Sequence, residues 1–190
     1  MQGNLLVFID VSGSMKEMGK HLLERNLCRF IYQLVEYENN KYSSIDVRFF
    51  IWSESVSEIA YSEDEGFFSI VPNGIADLDV LQKFFSTINS NIDSMHILIL
   101  SDGYFSDNQL SRYSTFVLDV PRLTIRAVAI GADANLERLK KLSSNKSVFL
   151  PENINSAVFS AVFGSDVRVP PPDLSQDIKK REEKEDSWDG

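Results

Sequence analysis

The chain has few of the residues that hold soft metal ions or form disulfides. Its 190 residues include one cysteine, Cys28, and two histidines, His21 and His96. A single cysteine excludes an intrachain disulfide and a zinc cluster of thiolates. Two histidines also argue against a histidine-rich metal site. We expect Cys28 to fill space in the core, because it lies within an apolar helical pattern.

Positive charge and long apolar runs are scarce as well. The chain has 19 Lys and Arg against 28 Asp and Glu, a net charge of −9, whereas non-specific nucleic-acid binding needs basic residues that face phosphates. No apolar run approaches the roughly 20 residues of a membrane helix, and residues 1–4 carry no basic segment of a signal peptide. We therefore expect a cytoplasmic protein that has neither nucleic acid nor membrane as a partner.

What the chain does contain fits one globular domain followed by a tail. Apolar residues make up 43% and charged residues 25% of the chain, which is typical of soluble domains, and the length fits a single domain. We assign this domain to residues 1–165. Residues 166–190 open with prolines and continue with charged residues, so they bury too little apolar surface to offset the entropy of ordering. We predict a disordered tail; the alternative is a partner-binding peptide anchored by Trp188.

Short apolar segments alternate along the chain with segments of helical periodicity. The apolar run 5–9 is continuous, as expected of a strand covered on both faces, and 53–55 is short enough to connect a hairpin. The predicted strands are 5–9, 46–52, 56–60, 97–100, 123–130 and 148–150, and the predicted helices are 16–38, 78–88, 108–117, 135–142 and 154–163. Strands separated by helices imply right-handed crossovers. We therefore predict a Rossmann-like, doubly wound α/β fold, with a mostly parallel central sheet and helices on both faces.

Oxygen-bearing side chains follow the first predicted strand. Asp10, Ser12 and Ser14 occupy alternate positions where the chain turns from strand to helix, and ligands of open sheets bind outside the carboxyl ends of the strands. One carboxylate and two hydroxyls form an oxygen-only set that suits Mg²⁺ or Mn²⁺, not zinc or copper. The alternative is that these residues cap the helix that follows.

A second acidic residue, Asp102, follows the predicted strand at 97–100. An Asp at the end of a neighbouring central strand can face Asp10 across the sheet edge. The pair Asp102-Gly103 is also the sequence of an ordinary turn. Two acidic strand ends, the first followed by a pair of serines, favour a metal site over two unrelated turns.

These motifs resemble those of von Willebrand factor type A (vWA) domains. Residues 10–15 are similar to the D-x-S-x-S motif of that family, and residues 100–103 resemble its second acidic motif. Residues 128–139 are similar to its late strand-turn-helix segment. The similarity covers roughly residues 4–163 and implies the vWA fold.

The resemblance also implies a metal-ion-dependent adhesion site (MIDAS). In such a site Ser12 and Ser14 would bind Mg²⁺ directly. Asp10 and Asp102 would bind the ion directly or through water. The cofactor implied is therefore Mg²⁺, or Mn²⁺ in its place.

The chain departs from the family pattern at one position. The family usually adds a Thr from a stretch such as G-x-T-D-L, which corresponds here to residues 73–78, and Ala76 stands where the Thr is expected. Alanine has no side-chain oxygen, so Asp77 or water would have to replace the missing ligand. The complete predicted metal site is Asp10, Ser12, Ser14, Asp102 and Asp77.

The resemblance implies a non-catalytic module for protein–protein interaction. An Asp or Glu of a partner protein would complete the coordination of the metal at the sheet edge, and desolvation would strengthen that contact beyond a surface ion pair. Met15, Tyr104 and Phe105 lie on the same loops, where they either surround the ion as apolar anchors or pack inward. The alternative within the same class is a metal-independent vWA scaffold, which Ala76 favours.

Enzymatic alternatives find less support in the motifs. A phosphatase of the haloacid dehalogenase type also places an Asp after the first strand, but it needs a second acid two residues later, where this chain has Ser12. A serine hydrolase would show G-x-S-x-G and a P-loop enzyme would show G-x-x-x-x-G-K-[ST]. The chain contains neither motif, so we expect no enzymatic activity.

The biological setting is implied by resemblance alone. Stand-alone cytoplasmic vWA proteins like this one occur in bacterial tellurite-resistance, stress and conflict systems, beside ATPases of the MoxR type, kinases or phosphatases. The resemblance therefore implies an adaptor in a multiprotein stress or defence system. A MoxR-type ATPase, a kinase or a phosphatase would be its partner.

Overall fold

A six-stranded sheet forms the centre of the fold. The computed structural model describes residues 3–37, 42, 45–62, 66–67, 71–89, 95–120 and 122–164. The strands are β1 (Gly3–Asp10), β2 (Ile45–Trp52), β3 (Val56–Ile59), β4 (Tyr61–Ser62), β5 (Gly66–Phe67), β6 (Met95–Ser101), β7 (Leu123–Ala129) and β8 (Val148–Phe149). The sheet order is β3-β2-β1-β6-β7-β8, and β4 pairs with β5 separately. All neighbours in the sheet are parallel except β2 and β3.

Helices cover both faces of this sheet. They are α1 (Lys20–Tyr37), α2 (Leu78–Asn89), α3 (Asp107–Asp119), α4 (Leu136–Leu142) and α5 (Ile154–Phe163). The core on one face joins α1 and α5 to the sheet, and the core on the other face joins α2, α3 and α4. Short 3-10 helices at Gly13–Gly19 and Pro151–Asn153 precede α1 and α5.

The central strand β1 contributes side chains to both cores. Leu5, Val7 and Ile9 lie in the core under α1 and α5, whereas Leu6 and Phe8 lie in the core on the opposite face. All five side chains are buried. Burial on both faces explains why the strand is a continuous apolar run without alternating polar positions.

The direction of strand addition reverses at β1. The chain places β2 on one side of β1 and then crosses to place β6 on the other side. Such a reversal opens a crevice at the carboxyl ends of the two strands, where ligands of open α/β sheets bind. Asp10 ends β1 and Ser101 ends β6, so the motifs identified in the sequence lie at this crevice.

The predicted fold class is confirmed, and each predicted strand and helix is present with ends shifted by a few residues. The hairpin through 53–55 is confirmed by the antiparallel register of β2 and β3. The pair β4–β5 is an addition that the apolar pattern did not indicate. The tail predicted at 166–190, including Trp188, lies outside the described residues.

The prediction of a helix over 16–38 is wrong at its start. The chain forms a 3-10 helix first, and α1 begins only at Lys20. Met18 and Gly19 have φ values of 51° and 71°, a left-handed conformation that no continuous helix accommodates. None of the helices in the described ranges combines the length and the apolar character needed to cross a bilayer.

Candidate functional site

Asp10 is fully buried at the end of β1 and is held by hydrogen bonds on both oxygens. Its Oδ1 accepts the backbone N–H of Ser12 at 2.9 Å, and its Oδ2 accepts the hydroxyl of Ser101 at 2.5 Å. Ser101 is also buried and ends the neighbouring strand β6. The carboxylate of Asp10 therefore connects the two central strands at their carboxyl ends.

The hydroxyls of Ser12 and Ser14 face each other. Their Oγ atoms lie 3.2 Å apart. Ser12 stands at the start of the 3-10 helix but makes no side-chain capping bond. The alternative that the serines act as helix caps is therefore not supported at Ser12, whose side chain makes no such bond. Both serines are among the residues that line a pocket.

Asp102 is fully buried immediately after β6. Its Oδ2 accepts a hydrogen bond from Lys20 Nζ at 2.9 Å, and its Oδ1 accepts the N–H of Tyr104 at 3.2 Å. Gly103 has a φ of 83° and donates its N–H to the hydroxyl of Ser101. The Asp-Gly turn considered as an alternative thus exists, and it is this turn that directs Asp102 into the protein.

Asp77 serves as the cap of α2. Its Oδ1 accepts the N–H of Asp79 at 2.9 Å and the side-chain amide of Gln109 at 2.8 Å, and its carbonyl accepts the indole N–H of Trp52 at 2.8 Å. No hydrogen bond among the described residues joins Asp77 to Asp10 or to the two serines. The hydrogen bonds of Asp77 in the described part of the structure therefore hold it at the start of α2.

A pocket of about 340 Å³ opens above these groups. Its lining residues are Ser12, Gly13, Ser14, Gly74, Ile75, Ala76, Tyr104, Phe105, Ser106 and Gln109. Ala76, at the position where the family has Thr, is buried in the wall of this pocket. Asp10 and Asp102 are not among the lining residues. Ser12 and Ser14 are thus the residues of the predicted site that line the pocket.

The aromatic and aliphatic residues around the pocket divide into two groups. Met15 is fully buried and Phe105 almost so, and both therefore pack inward. Tyr104 is 50% exposed and Ile75 is 60% exposed. Ile75 was not singled out from the sequence, although its place beside Ala76 in the 73–78 stretch was a usable signal. Tyr104 and Ile75 form an apolar rim that a partner can contact.

The ionisable groups behind the pocket are unusually buried. Burial raises the pKa of Asp10 to about 6 against the hydrogen bonds that lower it. Glu24, one turn into α1, is also fully buried, and neither of its carboxylate oxygens has a hydrogen-bond partner among the described residues. Burial, with the charges of Asp10 and Asp102, raises the pKa of Glu24 well above its usual range. The nearby positive charge among these buried groups comes from Lys20, which is 1% exposed.

Lys20 and Glu24 were missed by the sequence reasoning. Lys20 Nζ pairs with Asp102 and also with Asp133 Oδ2 at 2.8 Å. A Cβ added at Gly131 would lie 2.7 Å from Lys20 Cε, so the glycine leaves room for the lysine chain. The spacing of four residues between Lys20 and Glu24 puts both on one face of α1, which was the available signal.

The donor set fits a hard divalent cation. The hydroxyl oxygens of Ser12 and Ser14, two residues that line the pocket, lie 3.2 Å apart, and Asp10 and Asp102 lie at the carboxyl ends of the adjacent strands β1 and β6. Oxygen atoms of these types are the ligands that Mg²⁺ and Mn²⁺ prefer. Within the described ranges, no three or more His, Cys, Asp and Glu side chains are grouped to hold a metal. A cation here would depend on the serines as well as on the carboxylates.

The fold is similar to that of several solved vWA structures. The ArnB paralog VWA2 from Sulfolobus acidocaldarius aligns with a TM-score of 0.59 and 21% identity, over 85% of this chain and 44% of that chain. Proximal thread matrix protein 1 from the mussel byssus, in a structure with a zinc-occupied MIDAS motif, gives a TM-score of 0.58 and 14% identity over 85% of this chain and 45% of that chain. A von Willebrand factor type A protein from Catenulispora acidiphila gives 0.55 and 13%, over 80% and 40%.

These likenesses establish the vWA fold for this chain. No family model and no curated protein matches the sequence. The chain spans less than half the length of the three proteins it resembles. One of those proteins belongs to a mussel byssus, so the fold alone does not assign a cellular compartment.

Proposed function

We propose that this domain is a non-catalytic protein–protein interaction module that binds an acidic side chain of a partner protein through a divalent cation. The observation that carries the proposal is the pair of Ser12 and Ser14, which line a pocket and whose hydroxyl oxygens lie 3.2 Å apart; the side chain of Ser12 makes no capping bond. They stand beside two buried carboxylates at the carboxyl ends of adjacent central strands. The zinc-occupied MIDAS motif of the byssus protein supports a metal at this position of the fold.

The local charge favours a cation. Asp10 and Asp102 are both buried, and Lys20 is the ammonium that pairs with one of them. A cation beside Asp10 would offset the cost of keeping that carboxylate ionised away from water. Because Ser12 and Ser14 are neutral, the ion would keep enough positive charge to attract a carboxylate from a partner.

The shape of the pocket suits an acidic side chain. A volume of about 340 Å³ accommodates a carboxylate and its short aliphatic stem. The exposed parts of Ile75 and Tyr104 would contact that stem and exclude water from the ion. An ion pair that is shielded from water in this way is stronger than an exposed one. Mg²⁺ is the proposed cofactor, with Mn²⁺ as the alternative.

A metal-independent vWA scaffold is the second candidate. Ala76 supplies no oxygen to the pocket, and Lys20 already neutralises Asp102. In this form the partner would contact the rim of Ile75 and Tyr104 without an ion. The cytoplasm and a multiprotein stress or defence system, with an ATPase, a kinase or a phosphatase as the partner, remain proposals that rest on the motif resemblance.

Thermal unfolding with and without metal separates the two candidates. A ligand at ten times its dissociation constant stabilises the folded state by about 1.4 kcal/mol, which corresponds to a rise in Tm of roughly 3–6 °C for a domain of this size. We expect Mg²⁺ or Mn²⁺ to produce this rise, chelator to reverse it, and the double variant Ser12→Ala, Ser14→Ala to abolish it. The exposed Asp119→Asn serves as a control that keeps the full response.

Partner capture extends the same test. The wild-type domain should retain an interacting protein in the presence of Mg²⁺ and release it with chelator, and the double serine variant should retain none. If neither Mg²⁺ nor Mn²⁺ changes the wild-type Tm, and chelator does not change the amount of partner captured, the metal-independent scaffold is established instead.

A further inference from the structure

The side chain of Lys20 is closely enclosed by two carboxylates, an aromatic ring and a glycine. The residue begins α1, is 1% exposed, and reaches two carboxylates, Asp102 at 2.9 Å and Asp133 at 2.8 Å. Its ammonium also lies 5.6 Å from the centre of the Tyr104 ring. A side chain at Gly131 would collide with the lysine stem. A buried ammonium with two acidic partners and a fitted cavity is a built feature of this site, unlike a surface ion pair.

The two acidic partners of Lys20 differ in their surroundings. Asp102 is fully buried, and both of its oxygens already accept hydrogen bonds. Asp133 is 29% exposed, and within the part of the chain that the structure describes its Oδ1 has no hydrogen-bond partner. Asp133 therefore has spare capacity to hold the ammonium alone, whereas Asp102 is the carboxylate that the predicted metal site needs.

A divalent cation at the site would compete with Lys20 for Asp102. Two positive charges close together repel each other, and a buried ammonium cannot be left without a partner. Asp133 resolves this conflict because it can keep Lys20 paired while Asp102 turns to the metal or to a water on the metal. The contacts of Lys20 with Asp102 and Asp133 therefore bear on how readily the site would accept an ion.

We propose that Lys20 sets the metal affinity of this site: in the metal-free protein it pairs with both Asp102 and Asp133, and when a divalent cation binds it gives up Asp102 and keeps Asp133. This inference rests on the metal-dependent form of the proposed function. It makes Lys20 and Asp133 positioning residues with opposite effects. Lys20 weakens metal binding, and Asp133 strengthens it by keeping the ammonium paired when Asp102 is given up.

Direct Mn²⁺ binding tests the inference without any partner. Electron paramagnetic resonance of free Mn²⁺ gives the dissociation constant for the full chain and its variants. We expect Lys20→Met to bind Mn²⁺ about ten-fold more tightly than wild type, and Asp133→Asn to bind several-fold more weakly. Lys16→Met and Glu17→Gln remove one exposed charge of each sign from the neighbouring 3-10 helix, and these controls should change the constant by less than two-fold.

A double variant shows whether Asp133 acts by pairing with the Lys20 ammonium or only through its negative charge. In the Lys20→Met background, Asp133→Asn should weaken Mn²⁺ binding no more than Glu17→Gln does, because no ammonium remains to be displaced. Circular dichroism confirms that each variant is folded. If Lys20→Met is unfolded, Asp133→Asn alone decides, since Asp133 is partly exposed and its loss leaves Lys20 paired with Asp102.

The outcomes distinguish this inference from the proposed function. If both single variants bind Mn²⁺ like wild type, the metal site stands and the role of Lys20 is refuted. If wild type binds no Mn²⁺ but Lys20→Met does, the role of Lys20 stands and metal-dependent partner binding by the natural protein is refuted. If neither wild type nor Lys20→Met binds Mn²⁺, the metal-dependent function and the role of Lys20 are both refuted.

Discussion

Replacing Asp10 by Asn should make the metal-free domain more stable at neutral pH. Burial raises the pKa of this carboxyl from 3.8 to about 6, so the folded state holds the proton more tightly than the unfolded state does. Stability is therefore greatest below the unfolded pKa and falls as pH rises from about 4 to about 6. An asparagine carries no charge and does not incur this loss.

The magnitude follows from the size of the shift. About two pKa units correspond to about 3 kcal/mol of stability lost above pH 7, and about half of that is lost at pH 5. The asparagine can keep both hydrogen bonds, because its oxygen can accept the N–H of Ser12 and its amide can donate to the hydroxyl of Ser101. We therefore expect Asp10→Asn to raise the Tm in chelator at pH 7.5 by roughly 6–12 °C.

Chemical denaturation in chelator at pH 7.5 and pH 5.0 measures this difference. The gain of the variant over wild type should shrink by about half at the lower pH, and Asp119→Asn should show no such change. The variant should also lose the Mg²⁺ response that wild type shows, because it offers no carboxylate to the ion. A variant that is less stable than wild type at pH 7.5, or whose gain does not depend on pH, would refute the electrostatic account of Asp10.

Two further predictions concern the pocket and the chemistry. Ala76→Thr should tighten Mg²⁺ binding several-fold in calorimetry, because it adds the hydroxyl that the vWA motif usually supplies. Ala76→Val, which has the same shape without the oxygen, should not tighten it. Equal effects of the two variants would show that packing and not coordination is responsible. The domain should release no phosphate from generic phosphate esters with or without Mg²⁺, and turnover that disappears in Asp10→Asn would restore the phosphatase alternative.

The fold was predictable because the core strands carry strong local signals. The continuous apolar run of β1 and the turn residues after it indicate a strand buried on both faces and a strand-to-helix turn. The start of α1 was not predictable in the same way. Met18 adopts a positive φ that nothing in the local sequence demands, so a helical pattern that extends back to residue 16 misplaces the boundary.

The site was predictable only in its strand-end residues. Asp10 and Asp102 follow neighbouring parallel strands, and the topology alone brings them together. Lys20 and Glu24 escaped notice because charged residues on a helix usually face solvent; only the tertiary packing of α1 against the strand ends buries them. For Asp77 the local sequence did indicate the role. An Asp just before a helix is a strong capping signal, and the structure uses Asp77 as a cap.

The groups at the pocket come from distant parts of the chain. The hydrogen bond between Ser101 and Asp10 spans 91 positions, and the ion pair between Lys20 and Asp133 spans 113. Bringing such remote segments together is slow, because a long loop must close before any contact rewards it. A chain still emerging from the ribosome displays Asp10, Ser12 and Ser14 before Asp102 has been made. Because residues 104–106 and Gln109 also line the pocket, the complete pocket forms only after more than half of the chain has been synthesised.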